Sequence, residues 1–226
     1  MAAARQRVVL SWSSGKDSAW ALHVLRQDPA IDVVGLLTTF NGSADRVAMH
    51  AVRRELAHRQ AKAAGLPMHA VDLPWPCPND SYEAAMQASL DRLSSELEFD
   101  AVAFGDLFLD DIRTYREQKM AKWGKTPLFP LWQLDTTELA TTMVDSGLRA
   151  VLTCVDPRQC PAEFAGRTFD RQLLDDLPDS VDPCGENGEF HTYAYAGPMF
   201  EMPIGVRNGE IVERDGFVFS DLVSKD

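Results

Sequence analysis

Residues 8–12, 31–38, 66–73 and 100–106 are short, mostly apolar runs, and in the stretches between them apolar residues recur at helical spacing. Ala19, Leu22 and Leu25 form one such stripe. Met49, Val52, Leu56 and Ala63 form a second, which stops at Gly65, a residue suited to the left-handed end of a helix. Tyr82, Met86, Leu90, Leu93 and Leu97 form a third, with Asp80 and Glu83 spaced as a capping box. Strands that are apolar throughout are buried on both faces, and strands joined by helices are parallel. The order β-α-β-α-β-α-β therefore predicts an α/β fold, a parallel sheet with helices on both faces. Ligands of such sheets sit beyond the carboxyl ends of the strands. The loop after residue 12 and the pair Gly105-Asp106 both lie at such ends, so they are expected to meet in one crevice.

The character of the chain changes near residue 125. "TPLFPLW" is punctuated by proline, "DTTE" opens a helix ending at Gly147, and "RAVLTCV" reads as a fifth strand. A short helix around residues 169–177 follows. Strands are then expected around Thr192, Phe200, Ile211 and Phe217, with turns at Asn208-Gly209 and Asp215-Gly216. The expected division is residues 1–125 as one domain and 126–226 as a smaller α+β domain.

"SSGKDS", residues 13–18, lies between the first strand and the first helix. It lacks the upstream glycine and the hydroxyl directly after lysine that a Walker A loop needs, and the G-x-G-x-x-G of a dinucleotide loop. Small residues nevertheless let backbone amides approach an anion, Ser13, Ser14, Gly15 and Ser18 supply donors, and the helix start adds its positive end. Lys16 adds a full charge, and Asp17 is placed to hold Mg²⁺ against a phosphate. The plainer alternative is an ordinary helix start capped by Ser13 or Ser14. For Asp106, a nucleotide or metal contact and a helix cap are equally open.

A second constellation, "CGENGEFHTYAYAG", brings Glu186, Glu189 and His191 within six residues of one another, around a glycine turn. The plain reading is a solvated turn before an alternating strand. The functional reading makes one of the three a base or a substrate-positioning group.

"SSGKDS" resembles the S-G-G-K-D-S loop of the PP-loop ATP pyrophosphatases, with Ser14 where glycine is more usual. Together with "GENGEFHT" it is similar to the diphthine-ammonia ligase family, in which Asn187 replaces a common glycine. "FGDLFLDDIRTYRE", "PLW" at residues 130–132 and "GRTFD" at 166–170 extend the resemblance over nearly the whole chain. The resemblance implies a HUP-type domain carrying ATP, with a smaller domain facing it. It also implies an AMP-forming carbon-nitrogen ligase that adenylates a carboxylate, in the family that of diphthine on elongation factor 2, and amidates it with ammonia. Bacterial-type relatives of the family exist outside the diphthamide pathway, so another amine is admitted beside ammonia, and a small-molecule acid beside a modified protein side chain. Under this reading Lys16 offsets charge on the leaving pyrophosphate, Asp17 bridges Mg²⁺, and Glu186, Glu189 or His191 serves the acceptor half. Tyr115 and Arg116 are candidate substrate contacts, and Trp132 is expected to pack in the core.

Composition narrows the alternatives. A net charge of −12 repels polyanions, which counts against nucleic acid as a partner and against an RNA-modifying PP-loop enzyme. No apolar run reaches the ~20 residues of a membrane span, and Cys77, Cys154, Cys160 and Cys184 form no C-x-x-C pair, so a cytoplasmic protein with reduced thiols is expected. A nucleotide-binding module without turnover has no evident need for Glu186, Glu189 and His191. A homodimer is left open.

Overall fold

The computed structural model describes residues 4–225. The first half runs β1 (Gln6–Ser11), α1 (Lys16–Gln27), β2 (Ile31–Asn41), β3 (Arg46–Val47), α2 (Arg54–Ala63), β4 (Met68–Leu73), α3 (Asn79–Glu96), β5 (Ala101–Ala103), α4 (Asp110–Lys122) and β6 (Thr126–Leu128). The second half runs α5 (Thr136–Asp145), β7 (Arg149–Val155), β8 (Thr168–Phe169), α6 (Arg171–Asp176), β9 (Phe190–Ala196), β10 (Val206–Arg214) and β11 (Phe217–Ser224).

Strand β1 is central. It pairs in parallel with β2 on one side and β5 on the other, and β4 and β6 extend the sheet outward, also in parallel. The short β3 folds back antiparallel on the end of β2, pairing Val47 with Phe40. Because the chain builds first to one side of β1 and then to the other, the strand order reverses between β1 and β5, which opens a crevice at their carboxyl ends. Val9, Val102 and Phe104 bury one sheet face against Leu90 and Leu93 of α3 and Met120 of α4. The other face turns Val8 and Leu10 toward α1, and the same apolar cluster continues to Met143 of α5 and Leu152 of β7. The second sheet, built from β7 to β11, is antiparallel throughout. The two halves thus share a core, and β6, just beyond residue 125, belongs to the first sheet.

Several local expectations are corrected. The helix expected from Met49 begins at Arg54. Residues before it turn, with Met49 and Ala51 at positive φ, and Met49 is 69% exposed rather than core. The Asp80/Glu83 capping box does not form: Pro78 precedes α3 without a side-chain cap, and Glu83 pairs with Lys119 at 2.6 Å. Phe200 lies outside any strand, and Asn208-Gly209 marks an irregularity inside β10 rather than a turn. Strand β6 was not anticipated, and α4 only as the helix that Asp106 could cap; Leu109 precedes α4 instead, with no side-chain cap. Proline in β6 and charge in α4 mask periodicity. Asp215-Gly216 does close the β10–β11 hairpin with both residues at positive φ, and Asp135 caps α5 by accepting from the Glu138 amide at 2.9 Å.

Candidate active site

Gly15, not a serine, precedes α1, and it makes no side-chain cap. The first-turn amides of a helix have no partner four residues back. Here the Lys16 amide is capped from the far half of the chain, donating to Oγ1 of Thr192 on β9 at 3.0 Å. The Asp17 and Ser18 backbone lies against Gly105 at the end of β5, where a Cβ would come within 3.0 Å of Asp17 C and Ser18 N. Glycine is required there for close approach. Gly15 has a different reason, since a Cβ on it would meet the His50 ring at 2.7 Å.

Ser14 sits at φ 69°, the left-handed conformation, with its hydroxyl buried and unpartnered, while its carbonyl accepts from Ala194 N at 3.0 Å and from Gln60 at 2.9 Å. The strained backbone explains why glycine suits this position. Left-handed backbone costs about 1–2 kcal/mol for a residue with a Cβ, and an unsatisfied buried hydroxyl costs about 1–3 kcal/mol. Glycine's extra unfolded-state entropy offsets part of this, about 0.5–1 kcal/mol. Ser14→Gly is therefore expected to stabilise the fold by about 1 kcal/mol, visible as a higher urea midpoint. A lower midpoint would contradict this account.

Lys16 is 1% exposed. Its ammonium binds both Asp17 oxygens, at 2.9 and 3.0 Å, donates to the Cys184 carbonyl, and lies between the Phe169 and Phe190 rings at 5.5 and 5.4 Å. Burial opposes its charge, but Asp17 and, more weakly, Glu186 outweigh it, so its pKa lies above the ordinary value. Burial likewise raises Asp17, against the pull of Lys16.

Around this contact lies a cleft of about 780 Å³, at the carboxyl ends of β1, β2, β4 and β5. Ser13, Lys16, Asp17, Ser18, Gly105 and Asp106 line it from the first half, and Glu186 and His191 from the second. The Glu186 carboxylate accepts from the Leu107 amide at 2.8 Å, which ties the glycine turn to the β5 end. Burial, with Asp17 and Asp106 nearby, pushes its pKa up to about 7. His191 and His50 are 4.7 Å apart between ring centroids, and burial holds their pKa values down to about 4 and about 3, so both are neutral at pH 7. Asp106 pairs with Arg116 at 3.3 Å, over the Phe104 ring, and Tyr115 and Arg116 line the cleft. Trp132 does not line it; it packs against Phe129 and beneath the Arg113 guanidinium.

Glu189 differs from its neighbours. It is 2% exposed and not part of the cleft wall, and its Oε1 accepts from the Asp182 amide and the Asn187 side chain, both at 3.0 Å. It braces the turn that presents Glu186. The period of two in β9 separates Phe190 and Thr192, which are buried, from His191, which is partly exposed to the cleft.

Three positioning residues escaped the sequence. His50 lies in the segment misread as helix. Thr192 caps α1 from 176 residues away. Gln60 is fully buried and donates to the Ser14 and Ala194 carbonyls while accepting from the Trp12 indole at 2.9 Å. Only Gln60 left a trace, as a polar residue on the apolar face of its helix.

The residues fit a bound polyphosphate. The start of α1 lies at the cleft wall, where a helix N-terminus favours an anion, and Ser13, Lys16 and Ser18 line the cleft beside it with two hydroxyls and an ammonium. For a divalent ion, Asp17 is the available carboxylate at the helix start; no cluster of three ligating side chains occurs among the described residues. Magnesium bound through one carboxylate and phosphate oxygens needs no such cluster.

All four thiols are free. Burial raises Cys154 to about 12, Cys160 to about 11 and Cys184 further, whereas Cys77 is partly exposed at the cleft wall. Iodoacetamide at pH 8 is expected to modify Cys77 first, with ATP slowing the reaction. Peptide mapping showing another cysteine modified first would contradict this ordering.

Residues 6–124 match the profile of the diphthamide synthase N-terminal domain, and residues 135–221 match that of the diphthamide synthase C-terminal domain. Among curated proteins, the chain is similar to diphthine-ammonia ligases of Danio rerio (27% identical, over 96% of this chain and 92% of that protein) and Homo sapiens (26%, over 65% and 56%). The Schizosaccharomyces pombe diphthine-ammonia ligase is 30% identical over 54% of this chain, which is only 21% of its own length. With both halves matched in order, and the two matched halves forming the walls of one cleft, the chain belongs to the diphthamide synthase family.

Proposed function

We propose that the protein is an AMP-forming ligase that activates a carboxylate with ATP and amidates it with ammonia; the relatives' name, diphthine-ammonia ligase, supports the ligation to ammonia. The observation that carries this reading is the meeting of the nucleotide loop with a carboxyl group of pKa about 7, Glu186, across one cleft.

In the first step a carboxylate oxygen bonds to the α phosphorus, and the bond from that phosphorus to the bridging oxygen breaks, releasing pyrophosphate. Lys16 and the α1 amides stabilise the charge that moves onto the leaving group. Mg²⁺, held by Asp17, would neutralise further polyphosphate charge. In the second step ammonia nitrogen bonds to the acyl carbon, AMP leaves, and the proton shed by nitrogen passes to Glu186, whose pKa near neutrality suits a base at pH 7. His191 and His50 stay neutral beside it and add no repulsion toward the incoming amine's developing positive charge. Glu189 serves through the turn it braces. The same reading places the protein in the cytoplasm, where ATP and ammonium are available.

The test incubates the full chain with ATP, Mg²⁺, ammonium and a panel of carboxylic acids, and resolves the nucleotides by chromatography. Acid-dependent AMP and pyrophosphate are expected. ADP as the product, or no turnover with any acid, would sink the proposal.

A further inference from the structure

Beside the nucleotide cleft lies a second one, of about 410 Å³, and the two share Val47, Ala48, Met49, Leu73 and His191 as walls. Its remaining surface comes from the β2–β3 turn, the segment after β4, and the β10–β11 hairpin. The chemistry of the two differs. Lys16, Arg116 and the start of α1 belong to the larger cleft, whereas Trp75, Cys154, Phe217 and Phe219 wall the smaller one. The Cys154 thiol is held protonated by burial and acts there as an apolar surface. Trp75 is 70% exposed and Met49 69%, so two large apolar side chains stand open at adjoining positions. Three charged groups share its wall with these apolar ones. Arg46 is committed to Asp221 and the Ala51 carbonyl, Arg214 lies over the Phe219 ring at 5.2 Å, and Asp215 sits in the exposed hairpin turn.

We infer that this second cleft is the acceptor subsite, and that the acceptor is a carboxylic acid with an apolar or aromatic body. The body stacks among Trp75, Phe217 and Phe219, and its carboxylate extends past His191 into the nucleotide cleft, where the α phosphorus would be attacked. The inference rests on the ligase reading above for the direction in which the carboxylate points. The two clefts adjoin at His191, which lines both and leaves only a short distance for the carboxylate to cross, and the volume is that of a small-molecule site, within the usual range of about 300–1,000 Å³. The cleft lacks the helix start and buried lysine that would make it a second phosphate site.

The experiment measures binding of acetate, hexanoate, phenylacetate and 3-phenylpropionate by calorimetry, without turnover, to the full chain and to Trp75→Ala and Ala44→Trp. Trp75 and Ala44 are both exposed, so neither change removes core packing, and the second fills the cleft. The phenyl acids are expected to bind the unchanged chain at least about tenfold more tightly than acetate. Both variants should lose that preference, with ATP affinity within about twofold of the original. No preference for the phenyl acids, or a preference that survives both substitutions, overturns the subsite. AMP formation is followed separately. Binding in the cleft without turnover sinks the ligase reading and upholds the subsite, whereas turnover with unchanged acid KM in both variants does the reverse.

Discussion

Replacing Glu186 by Gln is expected to lower amide formation by about 10²–10⁴-fold, the usual range for loss of a positioned base, and to make the protein more stable at pH 8. Both effects come from the same burial. In the folded chain the carboxyl has a pKa of about 7, against an ordinary 4.5, because the charged form has lost water and faces Asp17 and Asp106. A raised folded pKa means that the folded state binds the proton more tightly. The group's stabilising contribution is therefore complete below pH 4.5 and is lost as pH rises through 7. The loss is at most about 3 kcal/mol from the size of the shift, and less where water reaches the cleft. Glutamine keeps a carbonyl oxygen for the Leu107 amide and carries no charge to strand. Urea midpoints at pH 5 and pH 8 should differ less in the variant than in the parent, and the rise of kcat through pH 7 should disappear. Unchanged kcat, or no stabilisation at pH 8, would remove Glu186 from the role given to it.

Lys16→Met should lower AMP formation by about 10²–10³-fold, as removal of one preorganised charge does, and should also weaken the fold. The side chain joins the two halves of the protein, through Asp17 on one side and the Cys184 carbonyl on the other. Breaking a buried pair costs about 3–5 kcal/mol, and the lower figure applies here because the Asp17 side chain keeps 26% exposure. Arginine is not expected to rescue it, since the planar guanidinium cannot replace a compact ammonium held between Phe169 and Phe190. Steady-state kinetics and a urea titration of the two variants check both halves of the prediction. A variant that keeps its KM for ATP and its urea midpoint would show that Lys16 holds neither nucleotide nor fold.

The sheet was legible because its strands carry a signal that needs no partner. Residues 8–10 and 101–104 are continuous apolar runs too short for a helix, which fits strands covered on both faces. The loop after β1 was legible as a strand-to-helix turn for a related reason: its amides, serines and lysine, the features suited to an anion, are neighbours in the chain. The extent of helix α4 was not, because its exposed face is so charged that only Met120 of its thirteen residues is fully buried. The segment around Met49 was misread because apolar spacing cannot register backbone sign. Its positive φ angles make a turn that offers His50 to Gly15 and leaves Met49 in the open.

By itself, the sequence determined the parallel sheet, the helix start at Gly15 and Lys16, and the chemical character of the Glu186–His191 segment, since each depends on residues near one another in the chain. Tertiary structure alone decided which of those groups act together. Thr192 caps α1, Gln60 anchors Ser14, Glu186 rather than Glu189 faces the cleft, and Lys16 binds a carbonyl 168 residues away. The reason is physical. Backbone propensity and periodicity act over a few residues, whereas a buried donor takes whichever acceptor the packing of two sheets brings within reach, and spacing in sequence carries no record of that choice.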